Sequence, residues 1–270
     1  MSFSDASVLE VQPLSPRMRR IVLRVDDPAT LGVRPGGDSA VGVYFCADDH
    51  PDGEGRNYSV RHHDGALITL DVVLHADGPG TTWASSVTPG ARVILDHARS
   101  WHRPPAGAQW QLLVSDMSGL PAAARIIEEL PAGVPVTLIV EVLAEDDLDY
   151  LPRHPGLTVI PRVGTGNGST PSTLATAVQE FALPPDYGYC WFAGEAAESR
   201  AVRKYLRGLG WTADRYDITG YWREDSTAWD ARFAEVSDDL LTVYERALAE
   251  GKSDKLAFEE FDDACERIGL

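Results

Sequence analysis

Arg56-Asn57-Tyr58-Ser59-Val60-Arg61 packs an aromatic ring, a hydroxyl and two guanidinium groups into six residues. It lies between a glycine-rich turn, Asp52-Gly53-Glu54-Gly55, and a strand-like run from Ala66 to His75. Alternate side chains of an extended strand share a face, so Arg56, Tyr58 and Val60 are expected on one side and Asn57, Ser59 and Arg61 on the other. The planar fork of Arg56 matches the oxygens of a diphosphate. The Tyr58 ring can lie against a flat ring system, and Ser59 can hydrogen-bond to a ring nitrogen. Together these groups suit a flavin dinucleotide. The hexapeptide taken alone also reads as a surface strand with a packed tyrosine and solvated arginines, and it leaves both readings open.

The next segment, Gly78-Pro79-Gly80-Thr81-Thr82-Trp83-Ala84, reads as a turn opening a short helix. A helix start preceded by glycines offers free amides to a phosphate. A ring-stacking candidate is thus followed about twenty residues later by a diphosphate candidate. With these two linked motifs the chain resembles the siderophore-interacting proteins, FAD-containing ferric-siderophore reductases of the ferredoxin-reductase-like superfamily. Their pattern is Arg-x-Tyr-Thr-x-Arg, then Asp-x-Val-x-His, then Gly-Pro-x-x-x-Trp-Ala. The matching residues are Arg56, Tyr58, Ser59 (Ser for Thr), Arg61, Asp71, Val73, His75, Gly78, Pro79, Trp83 and Ala84. The resemblance implies that Arg56, Tyr58, Ser59, Asp71, Val73, His75, Gly78, Gly80, Thr81 and Thr82 hold FAD. His75 ends its strand just before the phosphate turn. With no second His, Cys or carboxylate at ligand spacing, it is expected to shape the site by hydrogen bonding and not to ligate a metal.

Around this centre the first hundred residues read as strands with glycine turns. Val8–Gln12 and Met18–Val25 form a hairpin-like pair punctuated by Pro13 and Pro16, and Ala40–Cys46 is a third strand. Asp48–Gly55 is a loop, and Arg92–Asp96 closes the set after a short helix near 81–86. Six strands and one short helix predict a small antiparallel β-barrel. The stretch His97–Ala108 holds Arg99, Trp101, His102 and Arg103 where the family carries a glycine- and proline-rich turn that helps seat the cofactor.

Beyond residue 108 the pattern changes to continuous apolar strands alternating with helical spacing: Trp110–Val114, a helix capped by Ser118, Val134–Leu143, Leu157–Ile160, a helix opened by Ser169–Thr173, Tyr189–Ala193, a helix over Ala196–Leu209, and Arg215–Thr219. That alternation predicts a parallel α/β sheet, whose ligands bind beyond the carboxyl ends of its strands. Residues 226–249 and a segment capped by Ser253 form a helical appendage that packs on the body or covers the cleft. The expected division is 1–107 as an FAD-binding β-barrel, 108–223 as an NAD(P)H-binding α/β domain and 224–270 as an acidic helical extension.

Val114-Ser115-Asp116-Met117-Ser118-Gly119-Leu120-Pro121-Ala122 is similar to the family's Gly-Asp-Glu-Thr-Ala-Leu-Pro-Ala segment, with Ser115 for Gly and Met117 for Glu. Its amides can meet a phosphate or ribose, or the segment is a plain N-cap. Trp191-Phe192-Ala193-Gly194-Glu195 resembles the family's Trp-x-Ala-Gly-Glu strand end beside the nicotinamide. Ser115, Asp116, Ser118, Gly194 and Glu195 are accordingly the NAD(P)H candidates. Glu195 reads equally as a first-turn carboxylate favoured by the helix dipole. The Gly164-Thr165-Gly166-Asn167-Gly168 run follows a late strand and lacks the dinucleotide fingerprint, so a flexible loop is expected there. Gly220-Tyr221-Trp222-Arg223 matches the family's closing motif, which implies a place near the flavin.

At 270 residues and 29.4 kDa two domains are the better prior. The net charge of −17 excludes a nucleic-acid footprint and disfavours an anionic membrane surface. Residues 224–270 hold fourteen acids against five bases, so the extension supplies about −9 of that charge. No run of eighteen apolar residues and no signal-peptide pattern occurs, and Cys46, Cys190 and Cys265 lie far apart, which suits reduced thiols in the cytoplasm and no metal.

The expected chemistry follows from the resemblance. A reduced nicotinamide (NADH or NADPH), or ferredoxin as another donor, passes electrons through FAD to the Fe(III) of a siderophore, releasing Fe(II). Side chains cannot perform this chemistry, so no catalytic residue beyond the flavin is needed. Many ferric siderophores are anionic, and an acidic enzyme then needs local cations. Arg61, Arg99, Arg103 and Arg223 are the candidates, each also readable as a solvated surface arginine. The alternatives are a flavin- or siderophore-binding protein without turnover, or a flavin reductase with another acceptor.

Overall fold

The computed structural model describes residues 3–45, 55–75, 78–224 and 226–270. Cys46 and the expected 48–55 loop, apart from Gly55, lie outside the described residues. Eight elements make the first half: β1 (Ser4–Ser15), β2 (Met18–Val25), α1 (Pro28–Leu31), β3 (Ala40–Tyr44), β4 (Gly55–Asp64), β5 (Leu67–Val73), α2 (Pro79–Ser86) and β6 (Arg92–Arg99). The strands close an antiparallel barrel in the order β1-β2-β5-β4-β3-β6. Alternation drives the closure: Ile21, Leu23 and Val25 of β2, Ile68, Leu70 and Val72 of β5, and Val93 and Leu95 of β6 all fill one interior core. Each such side chain contributes roughly 1.5–3 kcal/mol on burial.

Two barrel strands run further than their sequence suggests. β1 continues through Pro13 to Ser15, its register shifting there and again between Val8 and Glu10. β6 continues past Asp96 to Arg99 through a bulge at His97, whose φ is 49°.

The second half carries β7 (Trp110–Ser115), α3 (Leu120–Glu129), β8 (Val136–Val142), a 3-10 turn (Glu145–Tyr150), β9 (Leu157–Val163), α4 (Leu174–Glu180), β10 (Gly188–Glu195), α5 (Ala196–Gly208) and β11 (Tyr216–Trp222). The strands form a parallel sheet in the order β11-β10-β7-β8-β9. β7 and β10 are buried along their whole length, which is why their sequences are apolar without alternation. One face packs on α3, the other on α4 and α5.

Two helix starts differ from expectation. Ser118 does not cap α3: Gly119 precedes the helix, and Ser118 Oγ donates instead to Asp116 Oδ1 at 2.5 Å. Ser169–Thr173 opens α4 only through its last residue: Thr173 is the N-cap and the helix begins at Leu174, so Pro171 lies before the first turn, while Ser172 and Thr173 donate to the buried carboxylate of Glu141.

The C-terminal helices α6 (Ser226–Ala249) and α7 (Asp254–Arg267) share a small core of their own. Sequence left two placements open for this appendage, and it packs on the body. α7 lies on α5 through Arg203–Asp262 at 2.5 Å, Arg203–Asp263 at 3.0 Å, Lys204–Glu266 at 2.6 Å and Arg207–Glu259. Among the described residues, no helix is long and apolar enough to cross a membrane.

Barrel and sheet meet at a seam of buried charge. Arg20 holds Asp71 with two hydrogen bonds, 2.8 and 2.7 Å, and Tyr150 Oη donates to the same carboxylate at 2.5 Å. Arg61, 5% exposed, donates to Tyr150 Oη at 3.1 Å and grips Glu128 of α3 with a bidentate pair at 2.5 and 2.6 Å. Arg125 of α3 reaches back to the carbonyl of Val60 at 2.7 Å. Replacing Tyr150 with Phe keeps the ring but removes the hydroxyl that joins Asp71 to Arg61. The variant should lose about 1–3 kcal/mol of stability in a urea titration followed by circular dichroism. An unchanged midpoint would show that the seam does not carry stability.

Glu128 also makes the seam sensitive to pH. Its carboxyl is held below the ordinary glutamate value, first by the Arg61 hydrogen bonds, against some desolvation. A depressed folded pKa means that the pair stabilises the fold above the unfolded glutamate value and ceases to do so as pH falls through the lower folded one. Unfolding midpoints measured from about pH 6 to 3 should therefore fall less steeply for Arg61→Met than for the unaltered chain.

Candidate functional site

A cleft of about 870 Å³, part of it open to solvent, lies between the barrel rim and the sheet. β4 supplies Arg56, Asn57, Tyr58 and Ser59, and β5 with the residues after it supplies Asp71, Val73 and His75. Gly78, Gly80 and Thr81 come from the start of α2. The opposite wall is Ser118 and Pro121 at the head of α3 and Tyr221 and Trp222 at the end of β11. Of the ten residues expected to hold FAD, Thr82 alone does not line this space; its hydroxyl donates back to the Gly78 carbonyl at 3.0 Å.

Local geometry explains the residue types. Gly78 precedes α2 with φ of 125°, a conformation that favours glycine. The first bond of the helix runs from Thr82 N–H to the Gly78 carbonyl, so the amides of Gly80 and Thr81 precede the ladder and remain for an anion. A Cβ at position 80 would lie 2.2 Å from Tyr58 Oη, so glycine there is what lets the phenol ring lie across the turn. Trp83 backs that ring, with centroids 6.0 Å apart. Burial pushes the Tyr58 phenol up and keeps it protonated. Thr81 Oγ1 accepts the backbone N–H of His75 at 2.9 Å, which ties the strand end to the turn.

Asp71 faces the cleft, but its carboxylate is saturated by Arg20 and Tyr150, so it holds the wall in place and is not on offer to a ligand. The wall does carry unmet demand. Ser59 Oγ and Tyr221 Oη are both buried there and face each other, and among the described residues neither has a partner beyond that loose mutual contact. Buried hydroxyls are rarely left so unless something absent completes them. A polar ring edge laid between β4 and β11 would do so, and in that respect the residues present fit a flavin.

Strand order reverses between β7 and β10, and their carboxyl ends lie side by side there. Ser115, Asp116 and Gly194 meet at this switch point, closely packed: a Cβ at Gly194 would sit 3.1 Å from Asp116 Oδ2, and Ser115 is fully buried with Oγ unpartnered among the described residues. Asp116 links the switch point to the cleft. It accepts from Ser118 N–H at 2.8 Å and from Trp222 Nε1 at 2.5 Å, both residues of the cleft wall. Burial raises its carboxyl, opposed by these bonds. Glu195 is a correction: its carboxylate caps α5 by accepting from Ala197 and Glu198 N–H at 2.5 and 3.1 Å, and is thereby occupied.

The Gly164–Gly168 loop is pinned where a flexible one was expected. Buried Glu141 accepts from Thr165 Oγ1, Ser172 Oγ and Thr173 N–H, and Asn167 Oδ1 accepts from Met117 N–H at 2.8 Å. Sequence reading missed Glu141. The signal was present as one carboxylate inside the otherwise uncharged strand Val136–Val142.

The four arginines expected to attract substrate do not line the cleft. Arg61 is spent on Glu128. Arg99 stacks on Trp101 at 4.7 Å and faces a separate cavity between β11 and α7. Arg103 Nη2 donates to the Ser100 carbonyl, and Arg223 stacks on Trp229 at 4.2 Å. In each case a nearby carboxylate, carbonyl or indole outcompetes the cleft.

With this geometry in view, two family models match the chain. Residues 48–99 match the siderophore-interacting FAD-binding domain and residues 108–225 the siderophore-interacting protein domain. The crystal structure of a siderophore utilization protein from T. fusca is 30% identical, with a TM-score of 0.71 over 83% of this chain and 95% of its own. The siderophore-interacting protein of Acinetobacter baumannii aligns at a TM-score of 0.76 over 90% of this chain and all of its own, at 22% identity. The NADPH-dependent ferric-chelate reductase of Escherichia coli K12 is 23% identical over 82% of this chain and 93% of its own.

Gly80→Ala tests the Tyr58 contact. The obstructing atom is the far end of a side chain, so the fold should persist while the ring is displaced. FAD affinity, measured by fluorescence titration, should fall at least about tenfold, equivalent to about 1.4 kcal/mol. Unchanged affinity would detach Tyr58 from the site.

Proposed function

Because the chain belongs to the siderophore-interacting protein family, we propose that it is an FAD-dependent reductase of ferric siderophores supplied with electrons by NAD(P)H. One observation supports this reading: the cleft walled by β4, α2 and β11, with free amides at the start of α2, is linked through Asp116 to the β7–β10 switch point. We read the cleft as the flavin site and the switch point beside it as the nicotinamide site.

In this reading the barrel of 1–107 holds FAD, the α/β unit of 108–223 holds NAD(P)H and the extension of 224–270 braces α5. Arg56 is exposed at the cleft, and its guanidinium takes the diphosphate together with the Gly80 and Thr81 amides. Tyr58 supports the ring system, and Ser59 and Tyr221 hydrogen-bond to its polar edge. Ser115, Asp116 and Gly194 seat the nicotinamide half, with glycine allowing close backbone approach. FAD held there would supply the conversion of the two electrons of an NAD(P)H hydride into two one-electron transfers to Fe(III), chemistry that no side chain offers. Fe(III) is held hard by oxygen donors; the reduced ion is softer and less charged, and its chelate lets go. Cys190 and Cys265 are buried free thiols, which suits action in the reducing cytoplasm.

Purified protein should be yellow, should bleach anaerobically with NADH or NADPH, and should recover its colour when a ferric siderophore is added. Colourless protein that refuses added FAD would overturn the reading. Protein that bleaches only with reduced ferredoxin would change the donor, and protein that bleaches with none would leave a binding role. Arg56→Ala should weaken FAD binding by about 10- to 100-fold, the size of a lost charge-assisted contact.

A further inference from the structure

The charges that face the cleft are few. Among the described lining residues they are Arg56, Asp71 and His75. Asp71 is neutralised by Arg20, and Arg20 is in turn occupied by it. Desolvation holds His75 below the usual imidazole value, so the ring is neutral near pH 7. That leaves Arg56, and the reading above assigns it to a diphosphate that carries more negative charge than one guanidinium cancels. What remains among the described residues at the mouth is neutral: the amide of Asn57, the hydroxyls of Thr81 and Ser118 and the indole of Trp222. The chain as a whole carries a net charge of −17, about −9 of it in residues 224–270.

Ferric chelates differ in charge by simple count. Three singly charged hydroxamates around Fe(III) give a neutral complex, or a cationic one when the ligand bears an amine. Three doubly charged catecholates give a trianion. An acidic surface lowers the local concentration of an anion and steers neutral or positive ligands past it unhindered. Discrimination of this kind comes from repelling the wrong ligand as much as from gripping the right one.

We propose, on the strength of the reductase reading, that this cleft takes neutral or cationic ferric chelates of the trihydroxamate type in preference to trianionic tricatecholates. Asn57, Thr81, Ser118 and Trp222, the described residues left at the mouth, are uncharged, and the arginines that sequence offered for the task are fastened elsewhere. Asn57 is the informative position, being exposed, at the rim and uncharged.

Gallium(III) analogues share the charge and shape of the ferric chelates but are not reduced under these conditions, so binding can be measured apart from electron transfer. Calorimetric titration of the FAD-loaded protein should show the gallium trihydroxamate binding at least about tenfold tighter than the gallium tricatecholate in about 50 mM salt. Raising salt to about 500 mM should narrow the gap by screening the repulsion. Asn57→Arg should narrow it at low salt, and the salt series on the unaltered protein stands by itself if that variant does not hold FAD. Equal or tighter binding of the tricatecholate at low salt, or no binding of either complex, would overturn the inference. A parallel mixing experiment separates the two levels. If photoreduced protein is not reoxidised by ferric trihydroxamate, the reductase reading itself falls. If it is reoxidised while the gallium preference is reversed, only the charge inference falls.

Discussion

The position of everything else depends on one buried carboxylate. Asp71 sits in β5 with its side chain withdrawn from water, and it survives there because Arg20 and Tyr150 satisfy both oxygens. Removing charge from water costs several kcal/mol per ion unless partners of good geometry replace the solvent. Here the partners come from both halves of the chain. Tyr150 is delivered by the 3-10 turn after β8, and its hydroxyl also meets Arg61, whose fork closes on Glu128 of α3. The barrel cannot rotate against the sheet without stranding at least one of these groups. Because the cleft is bounded by β4 and β5 on one side and by α3 and β11 on the other, the network that fixes the seam also fixes the width of the cleft.

Within that frame the site is shaped more by small residues than by reactive ones. Glycine at 80 makes room for a phenol, and glycine at 194 brings backbone within reach of Asp116. Asp116 is the joint: its backbone N–H meets the Ala193 carbonyl, and its side chain holds Ser118 and the Trp222 indole. The cleft wall and the switch point thus share the same small set of groups. In the reductase reading these would position two cofactors by shape and hydrogen bonding, which is what cofactor chemistry asks of the protein.

Much of this was legible in the chain. The barrel and the parallel sheet follow from the change in apolar period near residue 108, since alternation and continuous runs bury different faces. The residues of β4, β5 and α2 were legible because their types and spacing carry chemistry as well as packing. Less visible were groups whose partners are remote in sequence. Ser118 looked like a cap because its local pattern is that of a cap, but Asp116 two residues earlier competes for it. Glu195 read equally as cap or ligand, and local geometry chose the cap. Tyr150 carried no local signal at all, because its partners lie some eighty residues away.

The arginines show why charge is read poorly from sequence. A guanidinium is taken as solvated or as a ligand for anions, yet in this chain the arginines behave chiefly as fasteners. Arg17, Arg20 and Arg61 close the seam, and Arg200, Arg203 and Arg207 clasp the acidic ridge of α7 onto α5. The cause is energetic: a buried carboxylate recruits a cation more strongly than open water or a transient ligand can hold it. Fourteen acids in the last forty-seven residues look like a solvated tail, yet several are the counter-charges that let α5 bury its arginines. An acidic protein can thus use up its cations internally, and the charge presented to a ligand is then set by which pairs fail to form. Among the described residues of this cleft, that leaves Arg56.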